Sequence, residues 1–354
     1  MFWGAWGADL PAIQDHAGAS DAALGVGLFC IGAGALVAMR PAGVAVDRLG
    51  RPVLPAGIVL LAVCGFLPAL ATSPLALALV LLVLGAASGS LDVAINAEGV
   101  RSEATGRPVL RLAHGSFSAA VVCASLAAGG LRAAGAEPAG VFAAACGAVL
   151  VAALVASLLP PAPRGDEHPA GLRELLRAPR PLLILGGLGA LAFFVEGAWQ
   201  TWSAVHLQHT LGATAALAAA GPALFAASAA VGRLGGQAIH TPERALLAIA
   251  AIVAAAGTTL AATAQTTGVA LVGIALAGLG TSICAPTLIA IAGRQTPAER
   301  RGSGVSVVTL VSYLGFLLGP AAVGVMANAT TLRAAFGAVA GVALLLAALA
   351  RFAR

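Results

Sequence analysis

The chain has 354 residues, 60% of them hydrophobic and 9% charged, with a mean hydropathy of +0.97. So few polar groups cannot coat a water-soluble fold of this length, which excludes a soluble globular enzyme and points to a polytopic membrane protein. The net charge of +5 comes from 19 basic residues, every one an arginine, against 14 acids.

Twelve apolar stretches follow in chain order: 1–13, 22–39, 53–72, 75–97, 114–135, 139–159, 181–205, 211–232, 245–264, 268–292, 304–327 and 333–350. All but the first have about the length that crosses roughly 30 Å of hydrocarbon at 1.5 Å per residue. Their wealth of Gly, Ala and Ser suits close helix packing in lipid. When the connections are numbered alternately in and out, only Arg132 and Arg333 fall outside, and the other arginines collect on the inner side. This positive-inside bias orients the chain with both termini in the cytoplasm. It also accounts for the net charge without nucleic-acid binding. Heavy use of Ala, Gly and Arg with no Lys points to a GC-rich bacterial genome, hence to a cytoplasmic (inner) membrane. Cys30, Cys64, Cys123, Cys146 and Cys284 are dispersed and form no C-x-x-C, so reduced packing cysteines are expected.

The chain repeats itself. Slid by 193 positions, Gly4-Ala5-Trp6 lies on Gly197-Ala198-Trp199, Ala22-Ala23-Leu24 on Ala215-Ala216-Leu217, and Arg40 and Gly43 on Arg233 and Gly236. Six spans separate equivalent positions, so the repeats are parallel, as in secondary transporters whose substrate site lies between two halves. The predicted organisation is a six-helix bundle over 1–159, a cytoplasmic linker over 160–180 rich in Pro, Arg and acids, and a second bundle over 181–354. The repeat register would start the first span about twelve residues before Met1. A span of some thirteen residues, about 20 Å of helix, is too short to cross, so a misplaced start or truncated chain is expected.

After the second span stands Gly43-Val44-Ala45-Val46-Asp47-Arg48-Leu49-Gly50-Arg51. It resembles the G-x-x-x-D-R-x-G-R signature of the major facilitator superfamily. Gly43 permits close helix approach, and Asp47 can sit against the positive end of a neighbouring helix. Arg48 and Arg51 add cytoplasmic charge, so Gly43, Asp47, Arg48, Gly50 and Arg51 read as a gating latch; His240 replaces the aspartate in the second copy. Further segments are similar to poorly characterised bacterial transporters near the fucose permease. These are Ala5-Trp6 with Asp9 and Pro11-Ala12-Ile13, then Asp92, Asn96, Glu103 and His114-Gly115 with Phe117-Ser118, then 196–207 and 311–324. Thr201 stands where relatives often carry Asp, and Asp9 where an Arg is common, so substrate and coupling ion do not transfer. The resemblance implies an all-α membrane protein of twelve helices working by alternating access, with the first, fourth, seventh and tenth helices lining the cavity.

Three acids, Asp9, Asp92 and Glu196, lie within apolar spans. An ionisable group in a bilayer is tolerated where it faces a partner or an aqueous cavity. Asp92, Asn96, Gly99 and Glu103 form one helical stripe, and Glu196, Trp199, Gln200 and Ser203 another. A carboxylate beside an indole and an amide fits a sugar-type or polar-solute site. Asp92, Asn96, Glu196, Trp199, Gln200, Trp6 and His114 are therefore the candidate substrate and proton residues. Four have a plainer alternative: Glu196 and Asp92 as members of buried structural clusters, His114 as an interfacial packing residue, Trp199 as packing. Pro286 and Pro320 can loosen their helices, while Gly315, Gly319 and Gly324 read as close packing.

A non-transporting sensor on the same scaffold would usually carry an extra soluble domain. An intramembrane enzyme finds no support, since neither His-Glu-x-x-His nor Gly-x-Gly-Asp occurs. No ATP-binding loop of the Gly-Lys type can exist without Lys. No metal and no cofactor are expected. The expected partners are a small solute, a proton and the lipid bilayer, and the protein is expected to be monomeric. The fifth span lacks the Gly-Pro element of proton-coupled drug antiporters, which favours uptake of a polar solute over efflux.

Overall fold

The computed structural model describes residues 1–50, 52–104, 109–158, 178–236, 239, 241–297 and 301–353. Among them every regular element is helical. The helices are α1 (Phe2–His16), α2 (Asp21–Leu49), α3 (Val53–Phe66), α4 (Pro74–Ala104), α5 (Val109–Ala133) and α6 (Pro138–Leu158). Then come α7 (Arg180–Val205), α8 (Ala215–Gly236, interrupted at Ala219), α9 (Glu243–Thr263), α10 (Thr267–Gln295), α11 (Arg301–Ala329) and α12 (Leu332–Leu349). Eleven of the twelve, all but α1, are long and apolar enough to cross a membrane. The chain is an all-α membrane protein. Arg51, His240 and most of the linker lie outside the described residues, as do the side chains of Glu103 and His114.

Several helices outrun the apolar stretches that announced them. The expected loop after the second span is instead the last turns of α2, which runs through Pro41, Asp47 and Arg48 and stops at Gly50, where φ is 67°. Only a residue without Cβ adopts that conformation freely. Likewise α8 continues past 232 and takes Arg233 into the helix. Hydropathy marks the part of a helix that meets hydrocarbon, whereas backbone hydrogen bonding carries the helix on into polar sequence. Side-chain caps fix several starts: Ser20 accepts from the Ala23 amide, Thr214 from Leu217 and Thr331 from Ala334.

Two compact units emerge: Met1–Asp166 with Thr214–Ala223, and Glu167–Ala213 with Leu224–Arg354. In the first, α1 packs on α5 and α6, α2 on α4, and α3 on α4 and α6. In the second, α7 packs on α10, α11 and α12, and α9 on α10 and α12. The repeat register runs through both: α4 opens at Pro74 and α10 at Thr267, 193 positions on.

The register also explains the repeated Gly-Ala-Trp. A Cβ on Gly4 would come within 2.3 Å of the Val121 carbonyl of α5, and one on Gly197 within 2.9 Å of the Phe316 ring of α11. In each unit this glycine lets the first helix press against the fifth. The tryptophan two residues on packs against the sixth: Trp6 on Phe142 at 6.2 Å, Trp199 on Phe336 at 3.8 Å between ring centroids. The block is a packing device used twice.

Candidate functional site

The second unit buries one acid near the middle of α7. Glu196 is 2% exposed. Its Oε1 accepts a hydrogen bond from Nη2 of Arg233 at 2.7 Å and another from Nε2 of Gln200 at 2.9 Å. Gln200 lies one turn further along α7, and Arg233 arrives from α8. The Arg233 side chain is 39% exposed and Gln200 is exposed as well, so a hidden carboxylate holds two accessible polar groups. An isolated carboxylate at this depth would cost several kcal/mol, and the guanidinium offsets that cost. Sequence reasoning found Glu196 and Gln200 but missed Arg233, which stood just beyond the apolar stretch and was counted with the inner loops. Its own signal was the repeat, which pairs it with Arg40.

In the expected stripe of Glu196, Trp199, Gln200 and Ser203, only Gln200 is exposed. Glu196, Trp199 and Ser203 are all buried, Trp199 and Ser203 completely. The four positions span about 100° of the helix circumference, with Trp199 at one edge and Gln200 at the other. The Trp199 indole lies flat on Phe336, with 12° between the planes, and donates from Nε1 to the Thr258 hydroxyl at 2.9 Å. Trp6 is buried among Phe2, Trp3 and Phe142. Both indoles, taken as candidate substrate residues, are therefore occupied by the protein's own rings. Trp199→Phe should keep the stack and lose one hydrogen bond, lowering stability by about 1 kcal/mol. Trp199→Ala should lose roughly 3–5 kcal/mol. Ligand affinity of the folded Phe variant should equal wild type; a wild-type melting midpoint combined with tenfold weaker binding would return Trp199 to the binding site.

Beyond the indole, the His206 ring is fully buried in a single π-turn, His206–Thr210, that continues α7. Its Nε2 lies 3.0 Å from the Ala261 carbonyl, which fixes the proton on that nitrogen. Nδ1 and the Ser203 hydroxyl are buried without a hydrogen-bond partner among the described residues. Nothing in the spacing singled this histidine out.

In the first unit Asp9 is 2% exposed and pairs with Arg132, Oδ1 to Nε at 3.3 Å. Arg132 also donates from Nη1 to the Ala136 carbonyl at 2.8 Å. One of the two arginines on the expected outer side thus has an acid waiting for it. Asp92 and Asn96 are both exposed on α4, and Asn96 donates to the Asp92 backbone carbonyl at 2.9 Å. At the Gly43–Gly50 signature Asp47 and Arg48 are exposed. Gly43 is not a contact point: among the described residues nothing lies within 4 Å of where its Cβ would be. The close approach of α2 to α4 falls earlier, where a Cβ on Gly85 would sit 2.0 Å from the Ile31 carbonyl. Among the described residues no three His, Cys, Asp or Glu side chains are grouped to hold a metal.

The sequence profile of the Major Facilitator Superfamily matches residues 1–242 and 239–354. An uncharacterized MFS-type transporter of Yersinia pestis is 34% identical over 356 residues, covering 98% of this chain and 91% of its own. A solved bacterial homolog of the human lysosomal transporter Spinster shares the fold with a TM-score of 0.82 at 18% identity, covering 99% of this chain and 93% of its own. The Escherichia coli fucose:proton symporter FucP superposes less closely, with a TM-score of 0.60 at 19% identity over 100% of this chain and 96% of its own. The chain is a membrane transporter rather than an enzyme, and it belongs to the Major Facilitator Superfamily.

Proposed function

We propose that this transporter couples proton flow to the uptake of a small polar organic solute across a bacterial cytoplasmic membrane, by alternating access. The observation that carries this reading is the carboxylate of Glu196, buried at mid-helix yet bonded to the accessible Arg233 and Gln200. A carrier of protons must be charged in one stage and neutral in another, and Glu196 has partners for the charged stage. Arg233 then gains freedom in the neutral one. The name of one structural neighbour, a fucose:proton symporter, agrees with proton-coupled uptake of a sugar-like solute. Efflux in exchange for protons is the alternative direction. In this reading the protein is monomeric, its two six-helix halves (1–159 and 181–354) rock about the linker 160–180, and both termini face the cytoplasm. Asp92 and Asn96 of α4 contribute to solute binding, and His114 to proton uptake. The test is accumulation of solute by proteoliposomes under an imposed pH gradient, with sugars, organic acids and efflux substrates as the panel. Dissipation of the pH gradient should abolish accumulation; accumulation that survives it would refute proton coupling.

The cytoplasmic signature belongs to the same cycle. With Asp47 and Arg48 exposed at the end of α2, Asp47→Asn should slow solute exchange while changing affinity by no more than a few fold. Normal exchange kinetics with a large loss of affinity would contradict a gating role.

A further inference from the structure

Resting on the reading of Glu196 as the proton carrier, we infer that Arg233 is the binding group for a carboxylate on the transported solute, and that this carboxylate and Glu196 compete for the one guanidinium. The substrate class is then a small organic anion, taken up together with a proton.

The geometry sets up the competition. A guanidinium has five N–H donors arranged to grip a carboxylate through two of them. Among the described residues Arg233 spends one nitrogen, Nη2, on Glu196, and the side chain remains 39% exposed. Glu196 in turn receives both of its bonds on a single oxygen, Oε1. Gln200, exposed beside it, offers a neutral amide to the rest of the solute. The other elements packed around this point bring no rival charge. From α10 comes the Cys284 thiol, close enough to feel the Glu196 charge. From α11 come Phe316 and Pro320 against Gly197, and Thr258 of α9 and Phe336 of α12 are engaged by Trp199. Among the described residues the local charge is therefore one acid and one base.

That balance makes the coupling. With Glu196 ionised, the pair is neutral, and an added carboxylate would leave a net negative charge in a medium of low dielectric, which is strongly unfavourable. With a proton on Glu196, Arg233 is an uncompensated cation and the solute carboxylate restores neutrality. Each anion bound therefore draws in one proton, and by linkage each proton favours the anion. The repeat shows that this device is confined to the second unit: Arg233 corresponds to Arg40, but Trp3 and Gly7 stand where Glu196 and Gln200 do.

The experiment uses purified full-length protein in detergent with acetate, D-gluconate and succinate as anionic probes, and D-glucose and uridine as neutral ones. Thermal midpoint and proton uptake, read with a pH indicator in weak buffer, are measured together. At least one carboxylate should stabilise the wild type and draw in about one proton per protein, with affinity falling as pH rises. Glu196→Gln should bind that carboxylate as tightly as wild type or more so, take up no proton and lose the pH dependence. Arg233→Gln should lose the carboxylate response; if it fails to fold, the Glu196→Gln/Arg233→Gln double variant, which leaves no charge unpaired, provides the same test. Stabilisation by glucose or uridine but by no carboxylate would overturn the anion site while leaving proton-coupled uptake standing. A carboxylate that binds wild type without proton uptake would overturn the competition itself, and silence from all three carboxylates would overturn the substrate class.

Discussion

Glu196→Gln protein in liposomes should exchange solute across the membrane at a rate close to wild type, yet fail to concentrate it when a proton gradient is imposed. Glutamine has the shape of the protonated acid, and its carbonyl can still accept from Arg233 and from Gln200, so the local hydrogen bonds survive in weakened form. Exchanging a charge-assisted bond for a neutral one should cost about 1 kcal/mol of stability, which the fold can absorb. The transport cycle itself has no need of charge on residue 196 for the empty-handed and loaded carrier to change sides with solute. Coupling has that need. A one-unit pH gradient carries about 1.4 kcal/mol per proton, which supports about tenfold accumulation at one proton per solute. Wild type should approach that ratio, while the variant should stop at equal concentrations. If the pattern appears in Asp92→Asn and not in Glu196→Gln, the carrier is the acid of α4. Full accumulation by the Glu196→Gln protein would end the mechanism.

Among the described residues the number and order of the helices were legible in hydropathy alone, because lipid imposes a length of apolar sequence on each crossing. Helix ends were not. α2 and α8 carry regular backbone several residues past their last apolar position, and Arg233 was lost to the expected loop for that reason. The internal repeat was legible from Gly-Ala-Trp, and the block itself marks helix packing in each half. Identity at two equivalent places more often preserves a packing relation common to both halves than a substrate contact, which a single site between unlike halves need use only once. Gly4 and Gly197 against the fifth and eleventh helices, and Trp6 and Trp199 against the sixth and twelfth, are that common relation. At the same register the halves differ in the buried acid and its amide: Glu196 stands for Trp3 and Gln200 for Gly7. Ion-pair partners were the least legible feature. Glu196 meets Arg233 and Asp9 meets Arg132 through folding of distant helices, and no local spacing encodes either meeting.

The second of these pairs yields a large expected loss of stability from one substitution. In Arg132→Leu, the Asp9 carboxylate stays inside the first unit, 2% exposed, with its cation gone. Its Oδ2 already has no hydrogen-bond partner among the described residues, so little else is at hand to take over the charge. Removing one member of a buried pair costs roughly 3–5 kcal/mol, and because the Arg132 side chain is 23% exposed the loss should fall toward the lower end of that range. A further loss of about 1 kcal/mol comes from the bond to the Ala136 carbonyl, which closes the end of α5. The two contributions can be separated. Asp9→Asn/Arg132→Leu removes the stranded charge and should regain most of the stability, leaving only the missing Ala136 bond. Unfolding can be followed with a thiol-reactive dye, since Cys64, Cys146 and Cys284 are buried free thiols that become reactive as the helices part. Solute affinity of the double variant should match wild type, because the pair serves the packing of α1 on α5 and not the carboxylate of α7. A double variant no more stable than Arg132→Leu would show that the Ala136 bond, and not the charge on Asp9, accounts for the loss. An Arg132→Leu protein as stable as wild type would mean that Asp9 bears its burial without the arginine.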